Sequence, residues 1–386
     1  MFVGMGFSEI QARGEGSGDC GSERRVSLAE LQGIMDRIRY GSEEHKVQAA
    51  LEIRRLTKTS SRNRRHLSAA IEPLVSMLRF GSSRSSEAAI LGLLNLAVKD
   101  ERNKISIVEA GALEPLIVFL ESTNSDLQEY ATAALFTLSA SSVNKASISA
   151  SGAIPFLVNV LQDGRSRQAK KDAVAALYNL STITDNLKTI LLLHPIPPLI
   201  GFLKTCKKSS KTAEKCCALL ESLVGFDEGR TALTAEEAGV LTVVEILEEG
   251  SPQSREHAVG ALLTMCESDR SRYRQVILKE GVIPGLLELT VQGTWKSQGQ
   301  AHRLLELLRD SPHPRSELQA DTLQNIVSSI VSKIDGDEQA EKAKKMLAEM
   351  VQISMEQSLW QLKQRALVCI PSELPAGKCR PEVSSK

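Results

Sequence analysis

The stretch DAVAALYNLS, residues 172–181, recurs in imperfect copies along most of this 386-residue chain. Related phrases are AILGLLNLAV, ATAALFTLSA, CCALLESLVG, AVGALLTMCE and AHRLLELLRD. If Asn179 is taken as the reference position, the same place recurs every 40 to 43 residues, on Arg55, Asn95, Thr137, Asn179, Ser222, Thr264 and Glu306. A fixed period of this length is typical of helical repeat arrays, in which each unit buries its apolar face by stacking on its neighbours.

The composition also favours packed helices. Hydrophobic residues make up 42% of the chain, whereas aromatic residues make up only 4%, which argues against an aromatic-lined pocket. Basic and acidic residues are equal in number, at 47 each. A neutral balance gives no general attraction to nucleic acid or to anionic lipid, so we expect no nucleic-acid partner.

The cysteines and the hydropathy pattern point to a reducing compartment and to no membrane span. None of the seven cysteines forms a C-x-x-C pair, so they indicate free thiols rather than a disulfide framework or a metal site. Cys216, Cys217 and Cys266 fall on apolar positions of the helical pattern. The opening residues MFVGMGFSEI lack the basic and apolar regions of a signal peptide, and no apolar run is long enough to cross a bilayer.

Each full repeat is predicted to contain three helices. The first is short and is closed by a glycine in a left-handed conformation, at positions 111, 152, 239 and 281. The second starts near a proline, as at Pro115, and a polar turn follows it. The third is the reference stretch, in which Leu177 belongs to the buried stripe. The repeat at 195–238 departs from this pattern, because HPIPP replaces the glycine entry, and we expect a locally irregular stack there.

These patterns divide the chain into four regions. Residues 1–26 are rich in Gly, Ser and charge and are predicted to be disordered. The repeats occupy 27–310, opening with a helix that Ser27 caps. After the break RDSPHPRSE, residues 311–370 are predicted to form a C-terminal helical extension, and 371–386 a flexible tail. The predicted fold is all-α, a right-handed superhelical solenoid of about six to seven units.

The phrases EAGALEPLIVFL…ATAALFTLS and SGAIPFLVNVL…DAVAALYNLS resemble armadillo repeats, most closely those of plant U-box ubiquitin ligases. The resemblance covers roughly residues 27–310. It implies an armadillo-repeat solenoid in the cytoplasm, the nucleus or both, which corresponds to the substrate-recruiting half of such a ligase. No stretch of this sequence resembles a U-box. We therefore expect a protein-binding adaptor linked to ubiquitin signalling rather than an enzyme, with a component of a U-box ligase as the alternative.

The same resemblance implies where partners bind. In armadillo proteins the third helices line a concave groove, and an Asn at the reference position contacts the backbone of an extended peptide. An asparagine amide offers donors and acceptors together. The groove positions predicted here are Asn95, Thr137, Asn179, Ser222 and Thr264. The alternative interpretation is that these are solvated polar residues on exposed helix faces.

Two other functions are disfavoured by the sequence. Importin-like carriers place Trp four residues before the reference position, but here those places hold Leu91, Ala133, Ala175, Ala218 and Gly260. The six histidines are scattered, and there is no G-x-S-x-G, phosphate-binding loop or H-E-x-x-H motif. No catalytic residue, metal or cofactor is therefore predicted.

Two basic runs interrupt the neutral pattern. One contains Arg62, Arg64, Arg65 and His66, and the other contains Lys207, Lys208, Lys211 and Lys215. Either could meet an acidic partner or a phosphate, although solvated turn charge is the simpler interpretation. No aromatic residues interleave with these runs, which argues against single-stranded nucleic acid. The sequence leaves the identity of the partner and the oligomeric state open.

Overall fold

The computed structural model describes residues 27–309, and within that range every regular element is a helix. Seven long helices, one in each of units 1 to 7, form the inner layer: α2 (Glu43–Thr57), α5 (Ser83–Ala97), α8 (Ser125–Ser139), α11 (Arg167–Ser181), α14 (Lys211–Leu223), α17 (Pro252–Ser268) and α20 (Trp295–Leu308). The second layer contains α1 (Leu28–Tyr40), α4 (Ile71–Phe80), α7 (Leu113–Leu120), α10 (Ala153–Asp163), α13 (Ile196–Thr205), α16 (Gly239–Glu249) and α19 (Ile283–Gln292). Short helices open units 2 to 7: α3 (Ser61–His66, followed by a 3-10 turn at Ser68–Ala70), α6 (Glu101–Glu109), α9 (Asn144–Ala150), α12 (Thr184–Leu192), α15 (Asp227–Ala235) and α18 (Arg270–Lys279).

The prediction of an all-α solenoid is confirmed over these residues. Each inner helix packs against the inner helices before and after it, and one continuous apolar core extends from Ile34 to Leu308. The predicted disordered segment 1–26, the extension 311–370 and the tail 371–386 lie outside the described residues, as does Asp310.

A polar residue caps the start of every inner helix. Ser166, for example, accepts hydrogen bonds through its hydroxyl oxygen from the backbone N–H groups of Gln168 and Ala169. Such a cap satisfies N–H groups that have no partner within the helix. The polar turns of the sequence pattern are therefore helix starts, and the capping residues are Ser42, Ser82, Asn124, Ser166, Ser210, Ser251 and Thr294.

Buried asparagines fasten the short helices to the stack. Asn103 Nδ2 donates to the carbonyl oxygens of Leu96, at 2.9 Å, and of Arg64, at 3.3 Å. It thereby joins the end of an inner helix to the short helix of the preceding unit. Asparagines at the equivalent position of other units also donate to the end of an inner helix, namely Asn63, Asn144 and Asn186.

The glycine prediction is correct at three positions and wrong at one. Gly111, Gly152 and Gly281 have φ angles of 82°, 78° and 77°. At the fourth position, the left-handed residue is Ala238, with φ of 55°, and Gly239 follows it. Gly239 is needed for a different reason, because a Cβ there would lie 2.3 Å from the carbonyl oxygen of Leu233.

The predicted irregular stack at 195–238 is not observed. Helix α13 packs against α10 and α16, and α14 packs against α11 and α17, as in the other units. The departure from the pattern is local: His194 takes the left-handed position with φ of 51°. Packing on two neighbours outweighs the cost of about 1–3 kcal/mol for one non-glycine residue in that conformation.

The cysteines of the helical pattern are core residues, as predicted. Cys216, Cys217 and Cys266 are buried free thiols, and burial raises the pKa of Cys217 to about 12.

Between residues 27 and 309, no single helix is long and apolar enough to cross a membrane. Helices α12 and α13 reach that length and apolarity only together, and they meet at an angle of 88°.

One carboxyl group, that of Asp172, is buried in the inner layer. Asp172 lies on α11 and is 2% exposed. Gln168 Nε2 donates to both carboxyl oxygens, at 3.2 and 3.1 Å. Burial is the main reason that the pKa of Asp172 is raised to about 6, and the charge of Glu129 acts in the same direction. The hydrogen bond from Gln168 and the charge of Lys215 oppose the shift.

Leu177 is fully buried, at 0% exposure, which confirms the helix phase. Leu177→Ala should lower the free energy of unfolding by about 2–5 kcal/mol, because it leaves a cavity between units. Urea unfolding followed by circular dichroism measures the change. Leu192, which is 79% exposed, supplies the control, since Leu192→Ala should change stability by less than about 0.5 kcal/mol. Equal effects of the two substitutions would contradict the prediction.

Asp172 should make stability fall as the pH rises. Its folded-state pKa of about 6 lies above the ordinary value of 3.8, so the folded protein binds this proton more tightly than the unfolded chain. The stabilisation is therefore complete below about pH 4 and is lost as the pH approaches about 6. Relative to wild type, Asp172→Asn should gain roughly 2 kcal/mol of unfolding free energy between about pH 4 and 7. Urea unfolding of both proteins across this range tests it, and a constant difference would refute it.

Candidate functional site

The five predicted groove positions form one row along the inner layer. Asn95, Thr137, Asn179, Ser222 and Thr264 lie on five successive inner helices, α5, α8, α11, α14 and α17. Asn95 and Thr137 are buried, at 8% and 7% exposure, and the other three are half-buried. Asn95 and Thr137 are therefore not solvated residues on an exposed face, whereas Asn179, Ser222 and Thr264 keep partial exposure.

The asparagine amides hold neighbouring inner helices together. Asn95 Nδ2 donates to the carbonyl oxygen of Arg54 at 2.7 Å, on the inner helix of the preceding unit. Asn179 Nδ2 donates in the same way to Ser139 Oγ at 3.0 Å and to the carbonyl oxygen of Phe136 at 3.5 Å. The stack therefore engages one N–H group of the Asn95 amide and gives the Asn179 amide two acceptors, so a partner meets fewer free donors here than the sequence predicted.

The three hydroxyl groups point their donors back into their own helices. Thr137 Oγ1 donates to the carbonyl oxygen four residues earlier at 2.9 Å, Ser222 Oγ does so at 3.1 Å, and Thr264 Oγ1 at 2.9 Å. Each hydroxyl oxygen still has a lone pair to accept a hydrogen bond. Asn95 Oδ1 and Asn179 Oδ1 accept no hydrogen bond from any residue between 27 and 309. The row therefore presents acceptor oxygens in five consecutive units.

The inner face is concave, as a contact between alternate helices shows. Lys215 Nζ, on α14, lies 4.2 Å from the centroid of the Phe136 ring on α8, although α11 separates these two helices. Burial lowers the pKa of Lys215, and the charges of Asp172 and Glu214 oppose that shift. Lys215 and Phe136 line the central part of the groove.

The floor of the groove beyond this contact is polar. Glu221 Oε2 lies 2.6 Å from His257 Nδ1, and both side chains are about a quarter exposed, at 24% and 25%. A Cβ on Gly260 would lie 2.0 Å from Glu221 Oε1, so a larger residue there would displace this carboxylate from its present position. The groove thus holds a carboxylate–imidazole pair in units 5 and 6.

Four side chains beside the row were not predicted as groove residues: Phe136, Lys215, Glu221 and His257. Each lies either one or seven residues before a reference position, and only Lys215 was singled out by the sequence, as part of a basic run. Lys215 and His257 occupy the same place in consecutive units. Comparing that place across repeats would have singled them out, although it would not have shown that Lys215 reaches past a whole unit.

The charged reference positions of the end units are ion-paired within their own helices. Arg55 lies 3.9 Å from Glu52, and Glu306 lies 3.2 Å from Arg303. These pairs are exposed, and such pairs contribute little to stability. The uncharged acceptor row is therefore bounded by a charged position at each end.

Three of the four lysines in the second basic run have partners within the protein. Lys208 pairs with Glu245 at 2.6 Å, Lys211 pairs with Glu214 at 3.2 Å, and Lys215 lies over the Phe136 ring.

Within the described part of the chain, no three His, Cys, Asp or Glu side chains come together in a way that could hold a metal ion.

The chain matches the model of a known repeat family. The family described as "Plant U-box protein ARM repeat region" matches residues 30–327. This range contains nearly all of the described units and continues beyond residue 310, where the sequence analysis ended the repeats.

Several plant proteins are similar in sequence. U-box domain-containing protein 45 of Arabidopsis thaliana is 30% identical over 242 residues, which cover 63% of this chain and 31% of that protein. U-box domain-containing protein 19 of the same species is 32% identical over 260 residues, covering 64% of this chain and 37% of that protein. U-box domain-containing protein 1 of Medicago truncatula is 34% identical over 286 residues, covering 63% and 41%. This chain thus spans between 31% and 41% of the length of these relatives.

The fold has been solved before in an engineered protein. Its crystal structure matches with a TM-score of 0.64 at 19% identity, covering 89% of this chain and 85% of that one. At this identity the match shows the shared fold alone. Together with the family match over residues 30–327, the repeat geometry establishes that this chain belongs to the family of plant U-box protein armadillo-repeat regions.

Proposed function

We propose that this chain is a protein-binding scaffold that holds an extended segment of a partner along its concave inner face. The observation that carries the proposal is the row of acceptor oxygens at Asn95, Thr137, Asn179, Ser222 and Thr264. The three hydroxyl groups donate within their own helices and both amides donate to the preceding inner helix, so the unpaired oxygens are suited to receive backbone N–H groups from a partner.

An extended segment has the right spacing for this row. Packed helices are about 8–10 Å apart, and an extended chain rises about 3.3 Å per residue. Successive acceptors therefore match backbone groups roughly three residues apart. The spacing fits an unfolded or extended segment better than a partner helix, whose backbone N–H groups are already bonded internally.

The similarity to U-box proteins supports a place in ubiquitin signalling. We propose that the groove recruits proteins to that pathway, in the cytoplasm, the nucleus or both, without a nucleic-acid partner. The alternative is a component of a U-box-type ubiquitin ligase, and formation of ubiquitin chains by the purified protein with a conjugating enzyme would favour it. An importin-like carrier has less support, because Leu91, Ala133, Ala175, Ala218 and Gly260 leave no tryptophan slots in the groove.

The asparagine row can be tested on a partner identified by affinity purification and mass spectrometry. Asn95→Ala combined with Asn179→Ala should weaken binding about ten-fold or more, because two acceptors are lost. Isothermal titration calorimetry measures the Kd. The matched control is Asn144→Ala, which also removes amide bonds to carbonyl oxygens, but on a short helix away from the row. Equal weakening by the control would attribute the loss to instability rather than to the groove.

A second pair of substitutions tests the row without removing the asparagine donors that hold the helices together. Thr137→Val and Thr264→Val remove an acceptor but break only a bond to the residue's own helix. The double variant should unfold within about 0.5 kcal/mol of wild type and still bind several-fold more weakly. Unchanged binding by both double variants would move the partner away from this row.

A further inference from the structure

The junction between units 1 and 2 carries a concentration of positive charge. Residues 53–71 contain six basic residues and no acidic residue, although the chain as a whole is neutral. Arg64 is buried, and its Nη1 donates to the carbonyl oxygen of Thr57 at 2.8 Å. The other five are exposed and define the basic corner: Arg54, Arg55, Lys58, Arg62 and Arg65.

Hydrogen bonds bring the corner to one end of the acceptor row. Asn63 Nδ2 donates to the carbonyl oxygen of Leu56 at 3.0 Å, which fastens the short helix α3 beside the end of the inner helix α2. Asn95, the first acceptor of the row, donates to the carbonyl oxygen of Arg54 itself. The basic corner therefore lies directly beside Asn95.

Most of the cations in the corner are uncompensated. Arg55 lies 3.9 Å from Glu52, and Arg62 Nε lies 3.3 Å from His66 Nε2. The side chains of Arg54, Lys58 and Arg65 make no hydrogen bond or ion pair with any residue from 27 to 309. The other basic run differs, since two of its lysines have carboxylate partners.

The repeat architecture does not require these charges. The places of Arg54 and Lys58 are taken by Leu94 and Val98 in unit 2, by Phe136 and Ala140 in unit 3, and by Tyr178 and Thr182 in unit 4. A helix C-terminus favours one or two nearby cations, but every inner helix has such an end and only the first carries this cluster.

Arg54 also acts along the groove. Burial raises the pKa of Tyr130, and the charge of Arg54 opposes that shift. Tyr130 lies on α8, so the field of Arg54 extends past α5 to the inner helix of unit 3.

We propose that the partner segment in the groove carries a run of Asp and Glu residues that binds the basic corner. The inference rests on the proposed function and adds a direction to it, with the acidic end of the segment at unit 1. Carboxylates match the guanidinium groups of the corner, which can bind them through two parallel hydrogen bonds.

The surroundings favour a short acidic peptide over nucleic acid or a membrane. The opposite ends of the first inner helices carry acidic residues, at Glu43, Glu44, Glu87, Asp126 and Glu129. Glu44 is paired with Arg84 at 2.8 Å, and the other four carboxylates repel a long polyanion or an extended anionic surface within a screening length of about 10 Å. A segment with a few carboxylates at one end reaches the corner without meeting them.

The test uses the full chain and a fluorescein-labelled peptide of alternating Asp and Glu. Its Asn/Gln counterpart, a single-stranded oligonucleotide and phosphatidylserine vesicles are the comparison probes. In the corner variant, Arg54→Glu, Lys58→Glu and Arg65→Glu are combined. In the control variant, the same charge is reversed at three other exposed lysines, Lys188→Glu, Lys211→Glu and Lys279→Glu. Circular dichroism verifies that both variants keep wild-type helicity.

Wild type and the control variant should bind the acidic peptide, and the corner variant should bind it about ten-fold more weakly or not at all. Binding of wild type should weaken as salt rises, and the uncharged peptide should not bind. Equal binding by the corner and control variants overturns the proposal. Tighter binding of the oligonucleotide or the vesicles than of the peptide also overturns it, since the partner would then belong to another class.

Binding of the intact partner to the groove variants and to the corner variant distinguishes a failure of this inference from a failure of the groove proposal. If the groove variants weaken partner binding and the corner variant does not, the basic corner is not part of the site and the proposed function stands. If the peptide binds through the corner while the groove variants leave partner binding unchanged, the groove proposal fails and its failure is visible on its own.

Discussion

Stacking of the inner helices is the constraint on which the rest of this structure depends. No unit buries its own apolar face, so the core is a continuous layer from Ile34 to Leu308 that exists only when neighbours are in place. Close stacking also buries the backbone groups at helix ends, and each must find a partner. The capping residues, the asparagines of the short helices and the amide of Asn95 supply those partners.

The same hydrogen bonds decide the chemistry of the groove. A residue at the reference position has to satisfy the stack first, and it does so with its donor: an asparagine reaches the preceding helix, and a hydroxyl returns to its own. The side-chain oxygens at these positions accept no hydrogen bond within the described part of the chain. A row of acceptors is therefore a by-product of holding the units together, and a partner that supplies donors meets it without disturbing the stack.

Much of the fold could be predicted from the sequence, because periodicity is a local property repeated many times. The spacing of Leu177 and its equivalents fixed the buried stripe, and the polar turns marked the helix starts. Predictions from a single residue type were less secure. Glycine at 239 indicated a left-handed conformation there, but Ala238 adopts it. Residue 239 is glycine because its backbone lies so close to the carbonyl oxygen of Leu233 that a side chain would not fit.

The site was harder to predict, because its features depend on how the units are placed relative to one another. The positions of the row follow from the repeat, but the direction of each hydrogen bond does not. The contact of Lys215 with Phe136 exists only because the inner face curves enough to bring alternate helices together. No pattern within one repeat shows that curvature. The irregular stack predicted from HPIPP was wrong for a similar reason, because the units on both sides hold this segment in the regular packing.

Differences between units give this array a direction that a regular repeat would lack. Leu94, Phe136 and Tyr178 show that the place of Arg54 is neutral in the three units that follow, and the reference position is charged only at the two ends. A backbone-binding row recognises an extended chain largely without reading its sequence, because every residue except proline offers the same N–H group. Sequence discrimination must then come from side chains that vary between units, and charge is the difference that acts over the longest distance. The end units, rather than the regular centre, are where a partner and its orientation would be selected.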